Sequence, residues 1–241
     1  MWLSFRKRRR RSRLGAYGRY VRWGIRLGLV LLALDLFYLI HVWPDWQKFS
    51  QSPIAKSRFI QTYETRRQTD KSLPSLRWRP VPLSRIPKKV QRAVIVAEDA
   101  RFYTHNGIDV IAFREAMDYN LQKGRMRYGA STLSQQTVKN MFFSASRNPM
   151  RKWHELIFTV SMEFNVSKQR ILETYLNIAE FGKGIYGVEA AAQTYWGQNV
   201  SSLNRWQAAQ LAATLPSPVK HNPATRSKVF LDRAQRVYER M

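Results

Sequence analysis

Cysteine is absent from this 241-residue chain. Without thiols there is no disulfide framework, no thiolate nucleophile, no iron–sulfur cluster and no thiolate zinc site, and the composition fits an oxidising compartment. Histidine is scarce too. His41, His105, His154 and His221 are scattered, and no His-Glu-x-x-His helix pairs two of them, which argues against a metal site built from histidines. Acidic residues are few, 16 against 41 Lys and Arg, for a formal net charge of +25. Strand-like alternation is rare and no internal repeat occurs. Apolar bulk is not lacking: hydrophobic residues make up 44%, enough to bury a core, so wholesale disorder is excluded.

The charge is unevenly spread. Residues 1–26 carry ten basic side chains and no acidic one, and the rest of the chain still holds 31 basic against 16 acidic residues. A basic body wants an anionic partner: nucleic acid, anionic lipid or a phosphate-bearing substrate. The next segment decides among these. Trp23 to Trp43 reads WGIRLGLVLLALDLFYLIHVW, 21 residues. At about 1.5 Å per residue it reaches roughly 31 Å, close to the hydrocarbon thickness of a bilayer. Trp23 and Trp43 stand where interfacial aromatics belong. Arg26 must snorkel toward the basic end. Asp35, near the middle, costs about 2.5–3.5 kcal/mol on insertion scales and calls for a partner. A cleaved signal peptide is one alternative, opposed by the lack of a small-x-small cleavage site. A buried soluble helix is the other, opposed by the adjoining arginines. The basic flank predicts residues 1–22 as a cytoplasmic arm and 23–43 as a single anchor, with the body outside the cytoplasm, where nucleic acid is not a partner.

Residues 44–87 hold six of the ten prolines, and the spacing predicts an extended connecting segment. From Lys88 to Met241 the reading is one mainly helical domain. Val90, Ala93, Val94 and Ala97 mark one apolar helix face. Thr132-x-x-Gln135 has the form of a capping box, Asn148-Pro149 of an N-cap and first helical residue, and Ser167 of a further N-cap. Ile171, Leu172, Tyr175, Leu176 and Ala179 continue a helical stripe, Gly197 can end a helix, and Pro216 stops the apolar run from Trp206 to Leu215.

Three segments carry chemistry. In AEDARFYTHNGID an apolar helix delivers Glu98 and Asp99 at its end, where desolvation raises a carboxylate's pKa and suits it to general base work. An isolated Glu-Asp there is more often a solvated helix-end pair. In RNPMRKWHELIF, Arg151 and Lys152 share a face with Glu155 at i+4 and i+3, which in isolation is an ordinary surface ion pair. Between them GASTLSQQTVKN opens a helix with hydroxyl residues and continues through Gln135, Gln136 and Lys139; such a start can bind an anion, or simply be a good cap.

In order and spacing these segments resemble the peptidoglycan glycosyltransferases of family 51, which polymerise lipid II. E-D-x-x-F-x-x-H-x-G stands as Glu98, Asp99, Phe102, His105 and Gly107. G-x-S-T-[IL]-[ST]-Q-Q stands as Gly129, Ser131, Thr132, Leu133, Ser134, Gln135 and Gln136. R-K-x-x-E stands as Arg151, Lys152 and Glu155. I-L-E-x-Y-L-N stands as Ile171, Leu172, Glu173, Tyr175, Leu176 and Asn177, and G-x-x-G-x-x-x-A-A-x-x-Y as Gly184, Gly187, Ala191, Ala192 and Tyr195. The resemblance runs from Pro87 to Pro223. It departs from the pattern at Ala130, where a second Gly is usual, and at Trp196, where Phe is frequent. Bifunctional members add a penicillin-binding transpeptidase. Here Ser217-x-x-Lys220 and Ser202-x-Asn204 fall in the wrong order, no Lys-Thr-Gly occurs, and 21 residues follow Lys220. The expectation is the monofunctional biosynthetic form, a lysozyme-like α domain behind one transmembrane helix in the bacterial inner membrane.

The resemblance implies transfer from an α-linked diphospholipid donor to give a β-1,4 product, with inversion. That displacement needs a base for the acceptor 4-hydroxyl and cations for the departing diphosphate. A lytic hydrolase, the alternative enzyme, needs a protonated acid for its alkoxide leaving group. A non-catalytic scaffold, the alternative of another class, predicts decayed motifs. Glu98 is the expected base and Glu155 the second carboxylate. Lys139 and Arg147 are expected at the diphosphate with help from Arg151 and Lys152, while Asp99, Ser131 and Gln136 complete the substrate-binding set. No cofactor is expected to be required, though a divalent cation, Mg or Mn, can assist at the diphosphate. Expected partners are lipid II and the nascent glycan, the membrane and other wall-synthesis or division proteins.

Overall fold

The computed structural model describes residues 4–124, 129–144 and 148–241, with side chains from residue 17 onward. The chain divides into two compact units, Met1–Pro44 and Asp45–Met241. The first is a helix, α1 (Ser4–His41). Its apolar side chains, Leu27, Leu31 and Leu34 among them, are exposed. It is long and apolar enough to cross a membrane, which makes it compatible with a single-pass anchor and unlike a buried soluble helix.

The second unit is mainly α. Residues 44–87 are not an extended connector. They form α2 (Trp46–Gln51), α3 (Arg58–Thr69) and a two-residue strand, β1 (Arg77–Trp78), and they dock throughout. The prolines bound these elements rather than stretching the segment: Pro44 and Pro53 lie before α2 and α3, and α3 occupies the proline-free stretch before Pro74. Asp45 and Ser57 cap the two helices. Trp46 donates its indole N–H to Ser161 Oγ at 2.8 Å and packs edge-on against Phe142 and Phe158. Arg170 donates to the Phe49 carbonyl at 2.9 Å and to the Ser52 carbonyl.

Next come α4 (Lys88–Glu98), α5 (Val110–Lys123), α6 (Leu133–Phe142) and α7 (Pro149–Asn165). They are followed by α8 (Lys168–Ile178), β2 (Glu180–Gly182), β3 (Ile185–Tyr186), α9 (Val188–Trp196), α10 (Arg205–Thr214) and α11 (Lys228–Arg240). The expected caps are present. Thr132 and Gln135 exchange both capping-box bonds, Asn148 caps a helix with Pro149 in its first turn, Ser167 caps α8, and Gly197 ends α9 in the left-handed conformation. In the small sheet β1 lies parallel to β3 (Arg77 opposite Ile185) and β2 antiparallel to it.

Helix α8 is the centre of the body. Ile171, Leu172, Tyr175 and Leu176 are buried, and the helix packs on α6. Its polar residues fasten the preceding segment. Asn177 Oδ1 accepts from the Val81 N–H at 2.8 Å and its Nδ2 donates to the Val81 carbonyl at 2.9 Å, while Glu173 accepts from the Leu83 N–H at 2.8 Å. Gly187 enters α9 with φ +83, and a Cβ there would stand 2.7 Å from the Asn177 carbonyl oxygen, so only glycine fits.

Candidate active site

The apolar face of α4 packs on α10 and α11 and brings Glu98 to the helix end beside a cleft of about 240 Å³. Ala130, Ser131 and Thr132 line that cleft with it, and Ser131 is exposed. Glu98 keeps a partial opening to solvent. Burial pushes its pKa up; the Gln136 hydrogen bond and the charges of Lys139 and Arg233 pull down against it, and Asp99 adds a smaller upward push.

Gln136, on α6, donates from Nε2 to Glu98 Oε2 at 2.8 Å. Its Oε1 accepts from the hydroxyl of buried Tyr175 at 3.1 Å. Tyr175 therefore holds the amide with its N–H₂ toward Glu98.

Asp99 turns inward. Its carboxylate is 2% exposed; it accepts from the Leu133 N–H at 2.9 Å and meets His105 Nε2 at 2.9 Å. His105 Nδ1 accepts from the Gly107 N–H at 3.1 Å, which leaves Nε2 as the protonated nitrogen facing Asp99. Thr132 Oγ1 donates to the Gly107 carbonyl at 2.6 Å. Gly107 has φ +88, and a Cβ there would stand 2.9 Å from Thr159 Cγ2. These contacts lock the segment after α4 onto the start of α6. The sequence reading groups Asp99 with the substrate-binding residues; its hydrogen bonds hold the frame that carries Glu98.

Glu155, on α7, is 2% exposed and takes Arg151 Nη1 and Lys152 Nζ at 2.7 Å each. The i, i+3 and i, i+4 spacing thus yields a buried carboxylate under two cations rather than a surface pair. Lys139 lies on α6, the helix that also carries Gln136. Burial lowers its pKa, Glu155 raises it, Arg151 and Lys152 lower it and Glu98 raises it, so its ammonium lies within electrostatic reach of both acids. Among the described residues no ion pair or hydrogen bond engages that ammonium. Arg147 lies outside the described residues.

Asp99, His105 and Asp109 place potential metal-ligand atoms within 4.8 Å of one another. Those atoms are committed: Asp99 as above, and Asp109 to Arg101 at 2.8 Å and to the Ala112 N–H at 2.8 Å. In this structure the trio is held together by those hydrogen bonds. The surroundings of Lys139 combine the cations Arg151 and Lys152 with the carboxylates Glu98 and Glu155, and Glu155 is already taken up by the two cations.

Sequence reasoning placed Glu98, Gln136, Lys139 and Glu155 in one site without the two groups that tune it. Tyr175 carried a signal as a motif residue on a buried stripe. Arg233, near the end of the chain on α11, carried none.

Fold and site together define a mainly α enzyme of the lysozyme-like kind, with two carboxylates and several cations sharing one electrostatic neighbourhood. The chain belongs to the transglycosylase family, whose model matches residues 67–241. It is 42% identical over 203 residues to the biosynthetic peptidoglycan transglycosylase of Nitrosospira multiformis, covering 83% of this chain and 86% of that protein. Against the protein of the same description from Laribacter hongkongensis it is 36% identical over 221 residues, 92% of this chain and 97% of that one. The Aeromonas hydrophila relative reaches 52% over 141 residues, 58% of this chain and 60% of its own length.

Proposed function

We propose that this chain polymerises peptidoglycan, transferring the growing lipid-linked glycan onto lipid II to form β-1,4 links and releasing undecaprenyl diphosphate. The observation that carries this reading is a pair of carboxylates in contrasting settings, Glu98 at a helix end held by Gln136 and Glu155 buried under Arg151 and Lys152. A displacement at an anomeric carbon bearing diphosphate needs a base on one side and positive charge on the other. The acceptor 4-hydroxyl oxygen bonds to C1 as the C1–O bond to diphosphate breaks, which inverts the centre; the proton passes to Glu98 and the electron pair leaves on the diphosphate.

Desolvated Glu98 is the better base. Glu155, held by two cations, positions them and Lys139 for the diphosphate. Ser131 and Gln136 line or organise the acceptor side, and Arg147 is assigned to the diphosphate on its sequence position alone. The transfer needs no resident metal; Mg or Mn, when present, adds positive charge at the diphosphate.

The apolar helix and its arginine-rich flank support a single-pass inner-membrane anchor with a cytoplasmic N-terminus and a periplasmic catalytic body. Wall-synthesis or division proteins in the same membrane are its expected partners. Purified protein incubated with lipid II and run on a glycan gel tests the activity: chains are expected, and disaccharide release without polymer would point to a hydrolase. A reporter fused after Met241 is expected to work outside the cytoplasm only.

A further inference from the structure

The first helix after the apolar one reaches both helices that flank the site. Trp46 opens α2 and is buried. Its ring meets Phe142 of α6 edge-on at 5.6 Å and Phe158 of α7 edge-on at 6.5 Å, and those two rings stand 6.1 Å apart. Its indole N–H donates to Ser161 Oγ, also on α7, at 2.8 Å. Helix α2 is held to α8 as well: Arg170 donates to the Phe49 carbonyl at 2.9 Å, and its guanidinium lies 5.9 Å over the Phe49 ring. Trp46 belongs to the same compact unit as the site, at that unit's beginning.

The two phenylalanines hold equivalent places. Phe142 follows Lys139 by three residues on α6, and Phe158 follows Glu155 by three on α7. Side chains three apart are neighbours on a helix face, so each ring stands one turn from an expected site residue. Helix α6 also carries Gln136, whose amide donates to Glu98 at 2.8 Å, and α7 carries Glu155 with its two cations. The two helices pack on each other. Their relative position therefore sets where the Glu98 side of the site stands against the Glu155 side.

We propose that Trp46 is a positioning residue for the transfer: bonded to Ser161 and packed on Phe142 and Phe158, its indole fixes the spacing of α6 and α7. A close-packed interior answers the loss of so large a ring with a cavity and partial collapse of its walls. Those walls are α6 and α7. A small displacement of groups that must meet the reacting atoms lowers the rate of transfer far more than it lowers binding. The segment leaving the apolar helix is on this account a working part of the catalytic body.

The inference rests on the two-carboxylate transfer proposed above. Full-length enzyme is assayed with lipid II for kcat and KM, at a temperature where circular dichroism shows every variant folded. Trp46→Leu removes both ring contacts and the indole donor, and Trp46→Phe keeps an aromatic ring. Trp206→Leu, which removes an edge-on contact with Tyr238 at 5.7 Å between α10 and α11, is the comparator for general loss of stability. Trp46→Leu is expected to lose about tenfold or more in kcat with KM within about twofold of wild type. Trp46→Phe is expected to recover most of that loss, and Trp206→Leu to lower the melting temperature with kcat held. If Trp46→Leu is poorly folded, Trp46→Met takes its place. A kcat unmoved by the loss of the indole, an effect on KM alone, no recovery in Trp46→Phe, or an equal kcat loss in Trp206→Leu overturns the inference. A wild-type enzyme that makes no glycan from lipid II fails the function reading and this inference with it, whereas an active wild type matched by Trp46→Leu sinks the present inference alone.

Discussion

Tyr175 donates its buried hydroxyl to Gln136 Oε1 at 3.1 Å, and the same amide donates to Glu98 Oε2 at 2.8 Å. The phenol fixes which end of the amide meets Glu98. Tyr175→Phe removes that restraint and leaves a partly buried carbonyl oxygen without its donor, at a cost of about 1 kcal/mol. The expected outcome is a lower melting temperature and a several-fold lower kcat, because Glu98 then loses its oriented partner for part of the time. Unchanged kcat in a destabilised variant would limit Tyr175 to packing.

Glu98→Gln is expected to abolish polymerisation while lipid II still binds, since the amide keeps the shape and loses the basicity. Glycan synthesis and lipid II affinity, measured on folded protein, decide it. Near-normal synthesis would move the base to Glu155 or Asp99.

Burial lowers the pKa of Lys139, and the charge of Glu155 works against it. Glu155→Gln is therefore expected to weaken donor binding and to bring the alkaline limb of kcat/KM to lower pH. Activity recovers in part on acidification, down to the point where Glu98 takes up its proton. An alkaline limb that does not move would sever the link between Glu155 and Lys139.

Lys139→Met removes the ammonium expected at the leaving diphosphate. Charge on the bridging oxygen grows toward the transition state, so kcat should suffer more than binding, by about 10²–10³-fold by analogy with loss of an oxyanion donor. A tenfold or smaller loss in folded enzyme counts against the role.

Glu180 lies in β2 opposite Tyr186, and burial pushes its pKa up to about 7 from the usual 4.5. A carboxyl with a higher pKa folded than unfolded binds more protons in the folded state. Its contribution is therefore present below pH 4.5 and is lost as pH rises to about 7. Glu180→Gln should flatten that decline, by about 1–3 kcal/mol between the two ends. Denaturant unfolding at several pH values reads it directly, and parallel slopes in wild type and variant would refute it.

Local signals were legible where one short stretch settles the structure. The capping box of Thr132 and Gln135 and the cap at Asn148 are decided within four residues, and the i, i+4 pairing of Arg151 with Glu155 follows from helix geometry. Glu98 was legible because an apolar helix ends on it. The docking of residues 44–87 was not. It depends on bonds such as Arg170 to the Phe49 carbonyl and Trp78 to the Asn177 carbonyl, whose ends lie about a hundred residues apart. Proline spacing reports only where backbone donors are missing, and the aromatic ring contacts of Trp46 override it. Arg233 was invisible for the same reason, since nothing near it in sequence relates it to Glu98.

The desolvation of Lys139 has a chemical corollary outside the catalytic cycle. An ordinary surface lysine is almost wholly ammonium at neutral pH and a poor nucleophile. Burial shifts Lys139 toward the free amine, and an amine is what acylating and aldehyde reagents consume. The same burial that favours the amine also shields it, so labelling of Lys139 against that of the exposed lysines, with and without a diphosphate ligand, reads how open its surroundings are. Under the proposed function, the burial of Lys139 thus bears on two things at once, the charge offered to a leaving diphosphate and the access of lysine-directed reagents to the site.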